Sequence, residues 1–339
     1  MRRPSTSAHA AGFLQRGWSA LRGLTVASLA AATLAALLPA PVAAEQRTSR
    51  NDIVYKPAPA IPVVAVQFVQ EASTEALVEH FEASRYDLAA VLSGTRAVPR
   101  LYTTQLPDDL RALEETDLRK EAFIGALLPL ILMANEEILD ARRELQRLVA
   151  KQAANEALTA AEHDWLVDLA DYYDSDPENT GELLLKVDAL PVALTLAQAI
   201  EESGWGTSRY ARDGNALFGQ RTWKKDVPGM MARKDGQPLG HKARAFADLM
   251  HSVRAYMHNL NSNSAFKRFR EERAILREGG DGLDGKVLAG FLGRYAENET
   301  YAENLRRVIR HNELEGYEGA RLATGTLAEA LDAAFDPGS

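Results

Sequence analysis

The spacing of hydrophobic positions changes several times along this chain, and the changes mark its segments. Between Leu118 and Val149 the apolar residues Phe123, Leu127, Leu130, Ile131, Ile138, Leu145 and Leu148 recur at the interval that lines one face of a helix. Pro129 lies inside that run and predicts a kink. Upstream, Leu77, Phe81 and Leu88 through Val91 share the helical spacing from Thr74 onward, and Gly94 and Pro99 close the element. A second half opens with Pro191 at a helix start and stops at Ser203-Gly204. From Phe218 to Phe246, Gly219, Pro228, Gly229, Gly236, Pro238 and Gly240 leave little room for helix and predict a loop or small β-hairpin region. Leu249, Val253, Tyr256, Met257 and Leu260 then share one helical face, and a last helix is predicted over Tyr301 to Leu314. Val63 to Val69 reads as a short strand.

The beginning of the chain follows a different logic. Arg2, Arg3, Arg16 and Arg22 lead into an apolar, Ala/Leu-rich stretch from Leu24 to Leu38, followed by Val42-Ala43-Ala44. That is the layout of a signal peptide cut after Ala44. The apolar stretch, about 15 residues, falls short of the ~20 that cross a bilayer as a helix, so no stable membrane span is expected after cleavage. With no Cys anywhere, the chain has no lipid-attachment site, no disulfide and no thiolate-bound metal. The formal charge is −8, and the leader removes four Arg and no acidic residue. Such an acidic balance argues against nucleic acid, whose binding depends on neutralising phosphates.

These boundaries give a signal peptide over 1–44, a Pro-containing linker or extended arm over 45–73 and a helical N-terminal region over 74–180. A second domain follows over 181–317, and then a tail over 318–339 that reads as disordered. An acidic loop from Asp171 to Glu178 separates the two larger segments. Counted from Asp174, it has Asn179 and Leu185 where a calcium-binding EF-hand loop needs Gly and Glu, so it reads as solvated.

The chemistry concentrates at the end of the helix that starts at Pro191. On a helical wheel Ala193, Leu196, Ala197 and Ile200 gather on one side, and Thr195, Gln198 and Glu202 on the other. A polar stripe of that kind ordinarily faces water. Glu202, however, sits in the last turn, where the negative end of the helix dipole disfavours a carboxylate and raises its pKa; a general acid needs that bias. Trp205 follows one turn later as a candidate sugar platform, although a Trp is more often core.

The run LAQAIEESGWGTSRYARDGNALFGQ, Leu196 to Gln220, closely resembles the signature of the glucosaminidase domain family, glycoside hydrolase family 73, and its Bax-like proteins in particular. LPDDL (Leu106 to Leu110), the Phe123 to Asn135 segment, SVRAYMHNLNSN (Ser252 to Asn263) and YAENETYAENL (Tyr295 to Leu305) extend the resemblance over roughly residues 75–317. It implies an α+β, mostly helical, lysozyme-like fold with a small β-lobe in the Arg221 to Phe246 stretch, preceded here by the helical N-terminal region. It also implies an endo-β-N-acetylglucosaminidase that hydrolyses the β-1,4 bond after N-acetylglucosamine in peptidoglycan glycan strands, with the periplasm as the expected compartment. Matched residue by residue, Glu202 becomes the catalytic acid, Tyr295 a transition-state support, and Trp205, Asn215, Phe218 and Gln198 residues that line or shape the cleft.

The match departs from the family at one point. Glycoside hydrolysis generally uses a second carboxylate, yet Lys242 stands where Bax-like relatives often carry Glu, and the acids nearby are Asp226, Asp235 and Asp248. Water activated by another group, or the substrate's own N-acetyl group, could take that part. A non-catalytic glycan-binding module is the alternative function. The seven His include no HExxH pair, so neither a catalytic metal nor a cofactor is expected.

Overall fold

The structure, a computed structural model, describes residues 66–114, 116–234, 237–280, 282–293 and 300–324. The signal peptide therefore lies outside the described residues, as do most of the linker, Asp235 and Tyr295. The described residues fall in one compact unit, Ser49–Ser339.

A short strand β1 (Gln67–Val69) opens the described chain, followed by α1 (Thr74–Ala83), α2 (Leu88–Leu92) and β2 (Leu101–Thr103). β1 and β2 pair in parallel, Gln67 against Leu101. The single helix expected from Thr74 is thus two, parted at Arg85 with φ of 53° and restarted by Asp87, whose carboxylate caps α2. α3 (Thr116–Ala153) then runs unbroken through Pro129 for 38 residues. It is long and apolar enough to cross a bilayer, but its apolar stretch is mostly buried inside the protein, as in the core helix of a globular domain.

α4 (Ala160–Tyr172) starts at a reciprocal cap between Thr159 and Glu162, and α5 (Thr180–Lys186) at Asn179. α6 (Val192–Ser203) and α7 (Arg209–Gly214) lead into the β-lobe, made of β3 (Arg221–Thr222), β4 (Gly229–Lys234) and β5 (Gln237–Arg244). The lobe is antiparallel in the order β3-β5-β4, as the Gly/Pro spacing predicts. α8 (Leu249–Ser262), α9 (Lys267–Gly279), α10 (Gly285–Ala289) and α11 (Tyr301–His311) complete the helical body. The last helix is shorter than expected, and Leu314–Tyr317 forms a 3-10 turn instead.

The main core gathers the first half of α3 with α6, α8 and α11, and a smaller cluster joins the second half of α3 to α4 and α5. Side chains from both sides of the 180/181 boundary share the main core. The turn into α6 is pinned from below by fully buried Arg273, whose guanidinium donates to the carbonyls of Leu185, Asp188 and Ala189. Removing such a buried charged donor would strand the carbonyls of Leu185 and Ala189, while that of Asp188 keeps the Asn261 amide as a donor.

One expectation fails at the C-terminus. Residues 318–324 are not a loose tail: Glu318 accepts hydrogen bonds from the N–H groups of Val192 and Ala193, both 3.0 Å, and Leu322 bridges to Val98 in parallel. Pro191 offers α6 no side-chain cap, so the orphan N–H groups of that helix are satisfied from the end of the chain.

Candidate active site

Glu202 occupies the last turn of α6, which ends at Gly204 in the left-handed conformation. Trp205 and Gly206 continue with positive φ, and the tight turn is tied by the Ser203 hydroxyl, which donates to Ala199 O and accepts from Gly206 N–H. A side chain at Gly206 would strike Leu106 at 2.4 Å, so the SGWG turn is packed directly on the LPDDL segment.

The polar stripe on α6 does not face water. Every residue from Val192 to Ile200 is buried, and the stripe instead forms a hydrogen-bonded chain with two tyrosines. Tyr301, the first residue of α11, donates its hydroxyl to Glu202 Oε1 at 2.8 Å. Gln198 Nε2 donates to that same hydroxyl at 3.0 Å, and Tyr256 from α8 donates to Gln198 Oε1. The Tyr256 ring lies flat against Phe218, centroids 4.1 Å apart. Burial raises both phenols well above their ordinary pKa, assisted by the Glu202 charge, so both remain neutral donors. The Glu202 carboxyl is also raised, first by burial and then by the neighbouring charge of Glu201, against the opposing effects of the Tyr301 bond and Arg221. The elevation expected from the helix dipole is present, but its principal cause is loss of water.

The other cleft residues named from sequence take different parts. Gln198 is fully buried with both ends of its amide engaged inside the protein, so it positions Tyr301 and does not reach a ligand. Phe218 is likewise buried and supports Tyr256. Trp205 is half-buried, its ring edge-on to Phe123 at 5.6 Å with the Lys120 ammonium over it, which is the core alternative for a Trp. Asn215 ends α7 with φ of 50° and donates to the carbonyls of Phe246 and Ala247, fastening the exit from the β-lobe. Sequence reasoning does not single out Tyr301 or Tyr256 as site residues. Both stand in segments that carry the resemblance, and Tyr301 is the second Tyr of the YAENETYA element whose first is Tyr295.

Gly219 closes the site from the far side. Its φ is 61°, and a Cβ there would lie 2.7 Å from Glu202 Oε2, so only Gly lets the turn of NALFGQ approach the carboxyl. Beyond it, Lys242 donates from its ammonium to the carbonyls of Val227 and Lys225 at 2.6 and 3.2 Å. Asp248 caps α8 and accepts from the N–H of His251 and the hydroxyl of Tyr102. No group of three or more metal-ligating side chains occurs among the described residues.

A half-buried carboxyl with a raised pKa at a helix end, approached by a turn next to a small antiparallel lobe, marks the site of this α+β protein. Comparison with known proteins agrees. Residues 180–314 match the glucosaminidase family model, described as mannosyl-glycoprotein endo-beta-N-acetylglucosaminidase. Protein bax of Escherichia coli strain K12 is 31% identical over 220 residues, covering 62% of this chain and 76% of that protein. The chain belongs to the Bax-like proteins of the glucosaminidase domain family, a peptidoglycan-related glycosidase family. Among solved structures, the catalytic domain of the autolysin Auto from Listeria monocytogenes aligns with 51% of this chain and 96% of its own, at 21% identity and a TM-score of 0.29.

Proposed function

We propose that this protein is an exported peptidoglycan hydrolase that cleaves the β-1,4 bond after N-acetylglucosamine, with Glu202 as general acid. The observation that carries this reading is the half-buried Glu202 carboxyl, raised in pKa and held at one oxygen by Tyr301. Because Gln198 Nε2 donates to the Tyr301 hydroxyl, the Tyr301 proton points to Glu202 Oε1, and the acid proton is left to Oε2. Protonating the leaving oxygen turns Glu202 into a carboxylate, and Tyr301 then holds the new charge through a charge-assisted hydrogen bond.

Breaking the C1–O bond leaves a centre that needs an electron pair. Asp248 is engaged as a helix cap, and the Lys242 position supplies an ammonium rather than a carboxylate. In this reading the substrate's own N-acetyl oxygen closes on C1 as the leaving group departs. Glu202, now ionised, takes the proton of the water that reopens that ring. Export rests on residues 1–44 and their cleavage pattern, with the periplasm as destination; N-terminal sequencing of the processed protein should begin at Glu45.

The test is reducing-end release from purified peptidoglycan by the wild type and Glu202→Gln, with products identified by mass. Fragments ending in reducing N-acetylglucosamine from the wild type alone support the reading. The engagement of Lys242 where relatives often carry Glu favours a second reading, a glycan-binding module without turnover. In that case both proteins bind the wall and neither releases fragments.

A further inference from the structure

The β-lobe carries a feature that the acid chemistry leaves unused. Trp223, immediately after β3, is 70% exposed, and its ring lies 5.7 Å from that of His241 on β5. The register pairs Arg221 with Ala243 and Thr222 with Lys242, so Trp223 falls opposite His241. Alternation along the paired strands then puts Arg221, Trp223, His241 and Ala243 on one face of the lobe, up to Gly240, where φ is 74° and the β4–β5 register shifts. Arg221 is the residue of that face whose charge acts on Glu202. Trp223 thus stands one strand repeat, about 7 Å, outward from a residue in electrostatic reach of the acid.

A lone exposed apolar residue needs no explanation. Here the His241 ring stands beside the indole, and the face is continuous with the site through Arg221, whose charge acts on Glu202, and through Gly219, where a Cβ would meet Glu202 Oε2. A pyranose in the β-1,4 series offers a face of polarised C–H groups, and the negative π-face of an indole attracts them.

We propose that Trp223, with the His241 ring beside it, is a platform that stacks one N-acetylhexosamine ring of the glycan strand flanking the scissile bond. This rests on the glycan-cleaving reading above, and its test separates the two. The β-1,4-linked N-acetylglucosamine tetramer is titrated into the full-chain Glu202→Gln protein, with and without Trp223→Ala, by calorimetry and intrinsic fluorescence. The expected result is a saturable change in tryptophan emission that disappears with Trp223→Ala, and about tenfold weaker binding. Trp223→Phe should recover most of the affinity. In the Glu202-intact background the loss should fall on KM rather than kcat. Equal affinity with and without Trp223, or no tetramer binding at all, overturns the platform. So does a change in oligomeric state on Trp223→Ala, which would make the patch a self-association surface. Should the wild type release no fragments while tetramer binding still depends on Trp223, the platform stands and the hydrolase reading falls. Turnover that needs Glu202 but is indifferent to Trp223 overturns the platform and leaves the hydrolase standing.

Discussion

The two ends of α6 each hold a half-buried glutamate, and the two contrast in dipole and donors while sharing the direction of their pKa shift. At the first turn Glu318 sits at the positive end of the helix dipole and accepts two backbone N–H bonds, both of which favour its anion. Burial nevertheless pushes it up to about 7, helped by the charges of Asp284 and Glu315. At the last turn Glu202 meets the negative end of the dipole with one donor, Tyr301, and it too is raised, first by burial. A helix terminus contributes typically 0.3–1 kcal/mol, less than about one pKa unit. Desolvation is therefore the larger lever at both ends, and the dipole argument that drew attention to Glu202 had the right sign for a secondary reason.

The comparison breaks most visibly by removing the acid. Glu202→Gln should lower kcat by roughly two to four orders of magnitude while circular dichroism stays native; an active variant would sink the assignment of the acid. The other end answers in stability rather than rate. A carboxyl whose folded-state pKa lies above its unfolded value contributes no penalty at low pH. It destabilises progressively as pH rises from the unfolded value through the folded one, from about 4.5 to about 7 for Glu318, by on the order of 3 kcal/mol. Urea unfolding of Glu318→Gln across that window should show this part of the pH slope removed, and identical slopes in the two proteins would mean that Glu318 is ionised without cost. The smallest effect sharpens the comparison at Glu202. Tyr301→Phe removes the bond that opposes the rise in its pKa, so the carboxyl should hold its proton to higher pH. The alkaline limb of the pH–rate profile should then shift upward, with kcat reduced about tenfold, the loss of about one hydrogen bond to a charged group. A limb that stays in place would show that Tyr301 does not touch the acid during turnover.

Periodicity reveals most of α3, α6, α8 and α11, and glycine and proline spacing locates the β-lobe, because those signals are local. The ESGWG run points to Glu202. What escapes is the set of groups facing the polar side of α6. A wheel shows that Thr195, Gln198 and Glu202 share a side, but the groups that cover them, Tyr256 and Tyr301, come from 58 and 103 residues after Gln198. The same limit applies to Glu318, which reads as part of a loose tail because an Ala-rich end has no periodicity that would announce a cap for a distant helix. Trp205 is ambiguous for another reason: an indole suits a core or a sugar face, and in the structure it packs edge-on to Phe123 while staying half-buried.

The cap at the start of α6 also sets an order of events. Its acceptor lies 126 residues beyond the N–H group of Val192, and the neighbouring bridge joins Val98 to Leu322. Contacts of such separation close slowly, because the loop entropy must be spent before they form. A ribosome delivers this chain from its beginning, so the helix that carries Glu202 is made early and finished late. Until Glu318 arrives, two backbone donors at its start stand open, and a shortened chain without residues 318–339 would keep them open.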